Sequence, residues 1–379
     1  MNKYYTLLCV LCATVAFAQP PAGYYNTATG TGYTLKTQLF NIIKNHTDRG
    51  YDGLWTIYGL ADRDRFYEND NTILDVYSEV GAGADPYTFT YQTSQCGSYT
   101  VEGNCYNREH VVPQSYFGSQ ATPMYSDAHF VLPTDGKVNA WRDDHPYGVV
   151  AGATTSPCNT GATNNPCNTQ NGSKLGNNLN SGYSAGYSQK VFEPVDEFKG
   201  DIARCIFYFV TRYEDRLVDF YNTSASESKV MFDGTSDHSL SNTFLNILLT
   251  WNAQDPVSAR ETYRNNVLGA TARQGNRNPF IDNSNYATQI WGAPLANPTF
   301  EAIHTVAVFP NPANNNKINV SCAGAIDQIE LYNLNGQLVQ KLQPEIKNEV
   351  YTIDQLSSGF YMMKVTAEGK SIIKKVIVQ

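Results

Sequence analysis

Beyond its first eighteen residues the chain has no apolar run long enough to cross a bilayer, so nothing after that point predicts a transmembrane helix. Basic residues are in short supply: 27 Lys and Arg stand against 35 Asp and Glu. Without Lys3 and the residues from 303 onward the balance is 19 against 29, a net charge of −10. That counts against a protein that holds polyanions on a broad basic face. Any phosphate would have to be gripped locally, by a metal ion and a few arginines, with binding that is weak and sensitive to salt. Histidine is scarce, six in all, and there is no H-E-x-x-H and no C-x-x-C after Cys12, which leaves a zinc hydrolase poorly supported.

What is present begins with Lys3, an apolar run and Ala16-Phe17-Ala18 before Gln19, the pattern of a cleavable secretory signal over 1–18. Export implies an oxidising compartment. Cys9 and Cys12 leave with the signal. Cys96 and Cys105, and likewise Cys158 and Cys167, lie nine positions apart in loop-like sequence, and each pair is expected to form a disulfide. Each bridge is worth roughly 2–3 kcal/mol on the chain-entropy account. Cys205 and Cys322 sit in apolar patterns and are expected to be buried and unpaired.

Along the chain, Thr34 to His46 carries Leu35, Leu39, Ile42 and Ile43 at helical spacing. Thr72 to Ser78 reads as a short strand closed by Gly81-Ala-Gly83. Residues 153–188, rich in Gly, Ser, Asn and Thr, read as a long surface excursion. Asp196 to Phe220 is the strongest helical pattern, with Ile202, Cys205, Ile206, Phe209, Val210, Tyr213 and Leu217 on one stripe. A second helix covers about Leu240 to Trp251. Asp255-Pro256 is expected to cap and start a third. Pro294 to Phe300 looks like a linker, after which the periodicity changes from helical to alternating. Short strands follow around Ile318–Val320, Ile329–Tyr332, Gln337–Val339, Val350–Ile353, Phe360–Val365 and Ile372–Val378, predicting a small β-sandwich.

The chemistry concentrates between Cys96 and Tyr147. Asn107-Arg-Glu-His-Val-Val-Pro113 is followed by Asp127-Ala-His129 and by Gly136-Lys-Val-Asn-Ala-Trp-Arg142. Histidine is a base that is mostly neutral near pH 7. A carboxylate and an amide oxygen suit a hard divalent ion, and arginine forks onto phosphate oxygens. These are the parts needed to cut a phosphodiester with one metal ion. Adjacent strand residues point to opposite faces, so Glu109 and His110 can serve one site only where the chain bends, and an irregular edge is expected there. Asn139, at the start of a short helix Val138 to Asp143, reads equally as cap or ligand; Arg142 and Asp143 share its face.

The order of these blocks resembles the bacterial endonuclease I family. The likeness continues in Phe192-Glu-Pro194, Lys199-Gly-Asp-Ile-Ala-Arg204, Asn276-Arg-Asn-Pro-Phe-Ile-Asp282 and Ile290-Trp-Gly292, and so spans most of 50–292. It implies an α+β protein in which a mostly helical, loop-rich nuclease domain, 19–302, contains a ββα-metal (His-Me finger) core. It further implies a secreted, non-specific endonuclease acting on DNA alone or on DNA and RNA through the phosphate backbone, leaving 5′-phosphate ends. In that reading Glu109 and Asn139 hold one Mg2+, with Mn2+ or Ca2+ as possible substitutes, and His110 is the general base. Arg108 orients the Glu-His pair or holds phosphate, and Arg142 is a candidate on the leaving side. His129 braces the fold or touches substrate. Arg277 packs the C-terminal segment of the domain, with a phosphate contact as the minor alternative.

Residues 303–379 resemble the C-terminal sorting domain of the type IX secretion system, through Val308-Phe-Pro-Asn-Pro312, Leu331-Tyr-Asn-Leu-Asn-Gly336 and Leu356-Ser-Ser-Gly-Phe-Tyr361. That implies passage across the outer membrane, with removal or surface attachment, and a secreted or cell-surface product; separately, a monomer is expected. Two rivals remain at this level. One is another metal-dependent phosphodiesterase. The other is a carbohydrate-binding or adhesion protein, suggested by 26 Tyr, four Trp and the terminal sandwich.

Overall fold

The computed structural model describes residues 20–152, 156–158 and 166–292, and then 306–313, 316–321, 326–333, 336–344, 350–367 and 370–379. The expected signal, the linker at 294–300 and Cys322 fall outside these residues. Contacts divide the chain into two units, Met1–Leu295 and Ala296–Gln379.

In the first unit α1 (Gly32–Ile43) and α2 (Gly53–Ala61) lead into a two-stranded antiparallel sheet of β1 (Tyr106–His110) and β2 (Val131–Asp135). The short α3 (Gln114–Phe117) lies between these strands, and α4 (Gly136–Arg142) follows β2 without an intervening residue. The excursion carries a small sheet of β3 (Ser156–Pro157), β4 (Cys167–Asn168), β5 (Lys174–Asn177) and β6 (Lys190–Glu193), stapled by the Cys158–Cys167 disulfide. This sheet was not expected from composition. Its strands are short, and only Leu175, Val191 and Phe192 give it a substantial apolar face.

Helix α5 (Lys199–Arg212) is buried along its whole length, with α1 and α7 (Asn242–Gln254) packed against it. Ile202, Ile206, Phe207, Phe209 and Val210 are all inaccessible, and each such side chain contributes roughly 1.5–3 kcal/mol relative to exposure. Arg204 and Asp201, two buried charges of this helix, are paired. Arg204 meets Glu261 through Nε and Nη2 at 2.6 and 2.7 Å, and Asp201 accepts from Arg260 at 2.5 Å. The expected single helix to Phe220 breaks after Arg212. Glu214 turns back to accept from Lys36 at 2.9 Å and Thr37 at 2.7 Å, and α6 (Leu217–Thr223) restarts beyond it. Helix α8 (Ala259–Gly269) is capped by Ser258, not by Asp255. Ser258 and Glu261 form a reciprocal capping box, while Asp255 accepts from the amide of Gly200 at 2.7 Å. Two short helices, α9 (Pro279–Asp282) and α10 (Asn285–Trp291), complete the unit.

Thr72 to Ser78 is not a strand. Ile73 makes isolated bridges to Arg63 and Phe89, and then the Asp75 carboxylate accepts from the amide of Tyr77 at 2.8 Å, folding the chain into an Asx turn.

The described secondary structure of the second unit is all β. A four-stranded antiparallel sheet runs β10 (Leu338–Leu342), β9 (Ile326–Asn333), β12 (Gly359–Ala367), β13 (Lys370–Val378); a three-stranded one runs β11 (Val350–Ile353), β8 (Ile318–Ser321), β7 (Ala307–Phe309). Alternate residues from both sheets, among them Ile318, Val320, Ile329, Leu331, Met363 and Val365, share one core. Among the described helices of the chain none is long and apolar enough to cross a membrane.

Candidate active site

The site is built on the join between β2 and α4. Asp135 ends the strand and caps the helix: its carboxylate accepts from Val138 N and Gly103 N, both at 2.8 Å. The amide of Asp135 is held by Asp75 at 2.7 Å. A side chain at Gly136 would run into Tyr99, whose Cδ1 lies 2.5 Å from where a Cβ would stand, so any larger residue at the start of α4 has to displace that ring. With Asp135 doing the capping, Asn139 is released from that role. It sits one turn into α4, facing β1, with Nδ2 at 3.4 Å from the carbonyl of Arg108.

Glu109, His110 and Asn139 border one open cleft of about 290 Å³, together with Tyr51, Asn107, Arg108, Gln114, Asp143 and Asp144. The strand pairing is regular from Tyr106 opposite Asp135 to His110 opposite Val131, so the expected kink between Glu109 and His110 is absent. A two-stranded sheet consists of edges only, and residues from both faces can border a cleft that runs along one of them.

Glu109 is buried. Tyr77 and Tyr147 donate to its Oε1 at 3.1 and 3.3 Å, and Arg142 lies 3.2 Å from the same oxygen. Burial, partly offset by Arg142 and the two phenols, pushes its carboxyl up to about 7. A carboxyl so placed gains from a nearby cation.

His110 has its Nε2 3.0 Å from the carbonyl of Tyr125. A carbonyl only accepts, so Nε2 carries the proton and Nδ1 keeps its lone pair. Gln114 Nε2 is 3.5 Å from Nδ1. Tyr51 and Tyr125 stack on the ring at centroid distances of 6.0 and 5.7 Å. Burial pulls this imidazole down to about 4, against the pull of the Tyr125 bond and with help from Arg108 and Arg142.

The two arginines are placed differently. Arg142 is 1 % exposed and spends Nη1 and Nη2 on the carbonyls of His110 and Val111, at 3.0 and 2.7 Å. That arrangement braces the end of β1 beneath Glu109 and suits positioning better than the phosphate grip expected of Arg142. Arg108 is half-buried. Its guanidinium lies 3.4 Å from the ring centroid of Tyr51 and 4.3 Å from that of Trp55, with Nη1 donating to the Tyr51 carbonyl at 3.0 Å.

The structure does not bring His129 or Arg277 to the cleft. His129 is buried against Tyr208, with Nε2 3.0 Å from the Asn276 carbonyl, inside a network around Asp127 that includes Tyr208, Tyr213 and Gln274. Arg277 forks onto Asp282 at 2.7 and 2.6 Å and reaches Asn266 at 2.8 Å. Both side chains are engaged with the fold, the alternative that the sequence leaves open for each. Sequence reasoning missed Tyr77 and Tyr147, the donors on Glu109. No local pattern marks them, since they lie 32 positions before and 38 positions after their acceptor.

Residues 31–285 match the family model described as Endonuclease I, and 307–379 match the secretion system C-terminal sorting domain. The chain belongs to the Endonuclease I family. The extracellular ribonuclease of Bacillus amyloliquefaciens is 31 % identical over 274 residues, covering 71 % of this chain and 78 % of that one. The extracellular ribonuclease of Bacillus subtilis is 31 % identical over 277 residues, with the same coverage. Among solved structures, PorZ of the Porphyromonas gingivalis type IX secretion system matches 20 % of this chain and 11 % of its own. At 16 % identity and a TM-score of 0.17, that match carries no weight for the fold. As a member of the Endonuclease I family, generally metal-dependent, the chain is a nuclease, and its sorting domain marks it as secreted or held at the cell surface.

Proposed function

We propose that this Endonuclease I protein is a non-specific endonuclease that hydrolyses DNA and RNA backbones with one hard divalent ion, Mg2+ foremost, and His110 as general base. The observation that carries this reading is the convergence of Glu109, His110 and Asn139 on a single cleft. RNA is included because both Bacillus relatives are extracellular ribonucleases. β1, β2 and α4 would then form the ββα-metal core, and the two C-terminal sheets a sandwich. The mature nuclease domain would run over 19–302 and the sorting domain over 303–379. The product would act as a monomer, handed out by the type IX machinery.

The residues present fit the ion. A carboxylate and a carboxamide offer hard oxygens, and the exposed Asp143 and half-buried Asp144 at the same cleft would repel a phosphate unless a cation stood between. Glu109 and Asn139 would hold the ion, whose chemistry is Lewis-acid stabilisation of the charge that develops on the phosphate and leaving oxygen.

The remaining work falls to side chains. His110 Nδ1, the unprotonated nitrogen of a ring locked by Tyr125, takes a proton from water for in-line attack. An imidazole held near 4 is reliably neutral but a weak base. A phosphodiester anion entering the cleft raises its proton affinity when it is needed. Arg108, flat between Tyr51 and Trp55 and the more accessible arginine, binds a phosphate oxygen. Contacts of this kind carry no base information, which accounts for a lack of sequence preference.

The test is supercoiled plasmid and RNA incubated with the mature protein, with Mg2+, with chelator, and as His110→Ala. Degradation should need the divalent ion and fall by orders of magnitude in the variant. Undiminished cleavage by His110→Ala would remove that residue from the mechanism, and undiminished cleavage in chelator would remove the ion.

A further inference from the structure

The segment that supports Glu109 ends in a second group of acids, well apart in sequence from the catalytic residues. Glu68, Glu79 and Asp85 each bring one carboxylate oxygen to a common point, all three within 4.8 Å of one another. Three like charges so close repel one another, and with no cation among them burial and the neighbouring acids push the Glu79 carboxyl up to about 9, a shift that a bound cation would reverse. Glu68 is exposed and Asp85 half-buried, but Glu79 is 1 % exposed, and its buried Oε1 has no hydrogen-bond partner. A buried carboxylate oxygen without a donor is costly.

The neighbours do not supply the missing charge. Asp64 uses its own carboxylate to accept from the amides of Phe66 and Tyr67 at 3.0 and 3.1 Å, and Asp85 accepts from Val80 N at 2.8 Å. The groups that act most strongly on Glu79 are the acids Asp85, Glu68 and Asp64, with Arg260 the opposing cation. Arg260 makes no ion pair with Glu79: its Nη1 donates to Asp201 at 2.5 Å, and Nη2, which like Nε makes no hydrogen bond, lies 3.8 Å from Asp62.

We propose that Glu68, Glu79 and Asp85 form a binding site for a second divalent cation, Ca2+ in preference to Mg2+, that stabilises the fold and takes no part in the chemistry. All three ligands are hard oxygens. They come from an irregular loop with no octahedral template, and the exposed side at Glu68 leaves room for water to complete six to eight positions, which suits Ca2+. The affinity expected of such a site is on the order of 10⁻⁴–10⁻³ M, the range of extracellular calcium modules. The same segment carries Asp75, which holds the amide of Asp135, and Tyr77, which donates to Glu109. An ion on Glu79 therefore pins the far end of the strap that aims a catalytic ligand.

The experiment measures thermal unfolding of the full mature chain against added CaCl2, with bound Ca2+ counted by equilibrium dialysis. Wild type and Glu109→Gln should both gain several degrees in Tm, because the proposed ion does not use the catalytic cleft. Glu68→Gln/Asp85→Asn, which alters accessible groups and should fold, should lose that gain and bind one Ca2+ fewer than wild type. It should still cleave plasmid in saturating Mg2+. Glu79→Gln should be equally blind to Ca2+. A Ca2+ response that survives in Glu68→Gln/Asp85→Asn, or that disappears in Glu109→Gln, would overturn the proposal. So would the lack of any Tm gain in wild type up to about 10 mM, well above the expected affinity range.

Discussion

Arg142 lies 3.2 Å from Glu109 Oε1 while the same guanidinium holds the carbonyls of His110 and Val111. One buried cation thus fixes both the acid side chain and the backbone of the imidazole beside it. Arg142→Ala would leave Glu109 buried without its counter-charge, a loss of about 3–5 kcal/mol. Denaturant unfolding should show this directly, with activity lost in parallel. A variant as stable as wild type would contradict the bracing role.

Arg108→Ala should separate from Arg142→Ala. It gives up stacking on Tyr51 and Trp55, about 1–2 kcal/mol of stability. Its kcat/KM should drop by at least tenfold, about 1.4 kcal/mol of transition-state binding. Arg108→Lys should recover little, since a point charge cannot stack and fork at once. Full activity in Arg108→Ala would show that phosphate is held elsewhere.

Tyr77→Phe keeps the ring that packs on Phe192 and removes one donor from Glu109. Outer-shell partners of this kind are worth roughly 10–100-fold in metal affinity. The Mg2+ concentration for half-maximal cleavage should rise accordingly, with kcat at saturation much less affected. An unchanged Mg2+ dependence would detach the phenol from the ligand it touches.

Two histidines tie stability to pH. His110 and His129 are both pulled down to about 4 by burial, from an ordinary 6.5. Between those values the unfolded chain takes up protons that the folded chain refuses. Their contribution is therefore complete above pH 6.5 and is lost as pH falls toward 4. Each imidazole accounts for at most roughly 3 kcal/mol over that window. The stability advantage of wild type over His129→Gln, from unfolding free energies measured between pH 7 and 4.5, should shrink as pH falls, while raised carboxyls such as Glu109 act on both proteins with the opposite sign. Parallel curves would refute the assignment.

The Cys96–Cys105 disulfide closes the loop that enters β1, and the carbonyl of Cys105 accepts from Gly136 N at 2.9 Å. Cys96→Ser/Cys105→Ser should lose roughly 2–3 kcal/mol. Equal melting of the two proteins would place the loop outside the cooperative unit.

Much of this was legible in the letters. Helical spacing found α1, α5 and α7, and the run from Asn107 to Pro113 with Asn139 located the cleft. The choice between arginines was not legible, because it turns on which guanidinium finds free carbonyls to satisfy. Nor were Tyr77 and Tyr147, joined to Glu109 only by the folded chain. Ser258 displaced Asp255 as a cap because Glu261, three residues on, could answer it, while Asp255 had the amide of Gly200 to serve. Asp75 overruled the strand pattern of its own segment by bonding to Tyr77 N.

The direct passage from Asp135 to Gly136 has an evolutionary corollary. With no spacer to absorb a change in length, one inserted residue would rotate Asn139 by about 100° around the helix axis, away from the cleft it borders with Glu109. Indels should therefore be purged at this junction among descendants of the same ancestor.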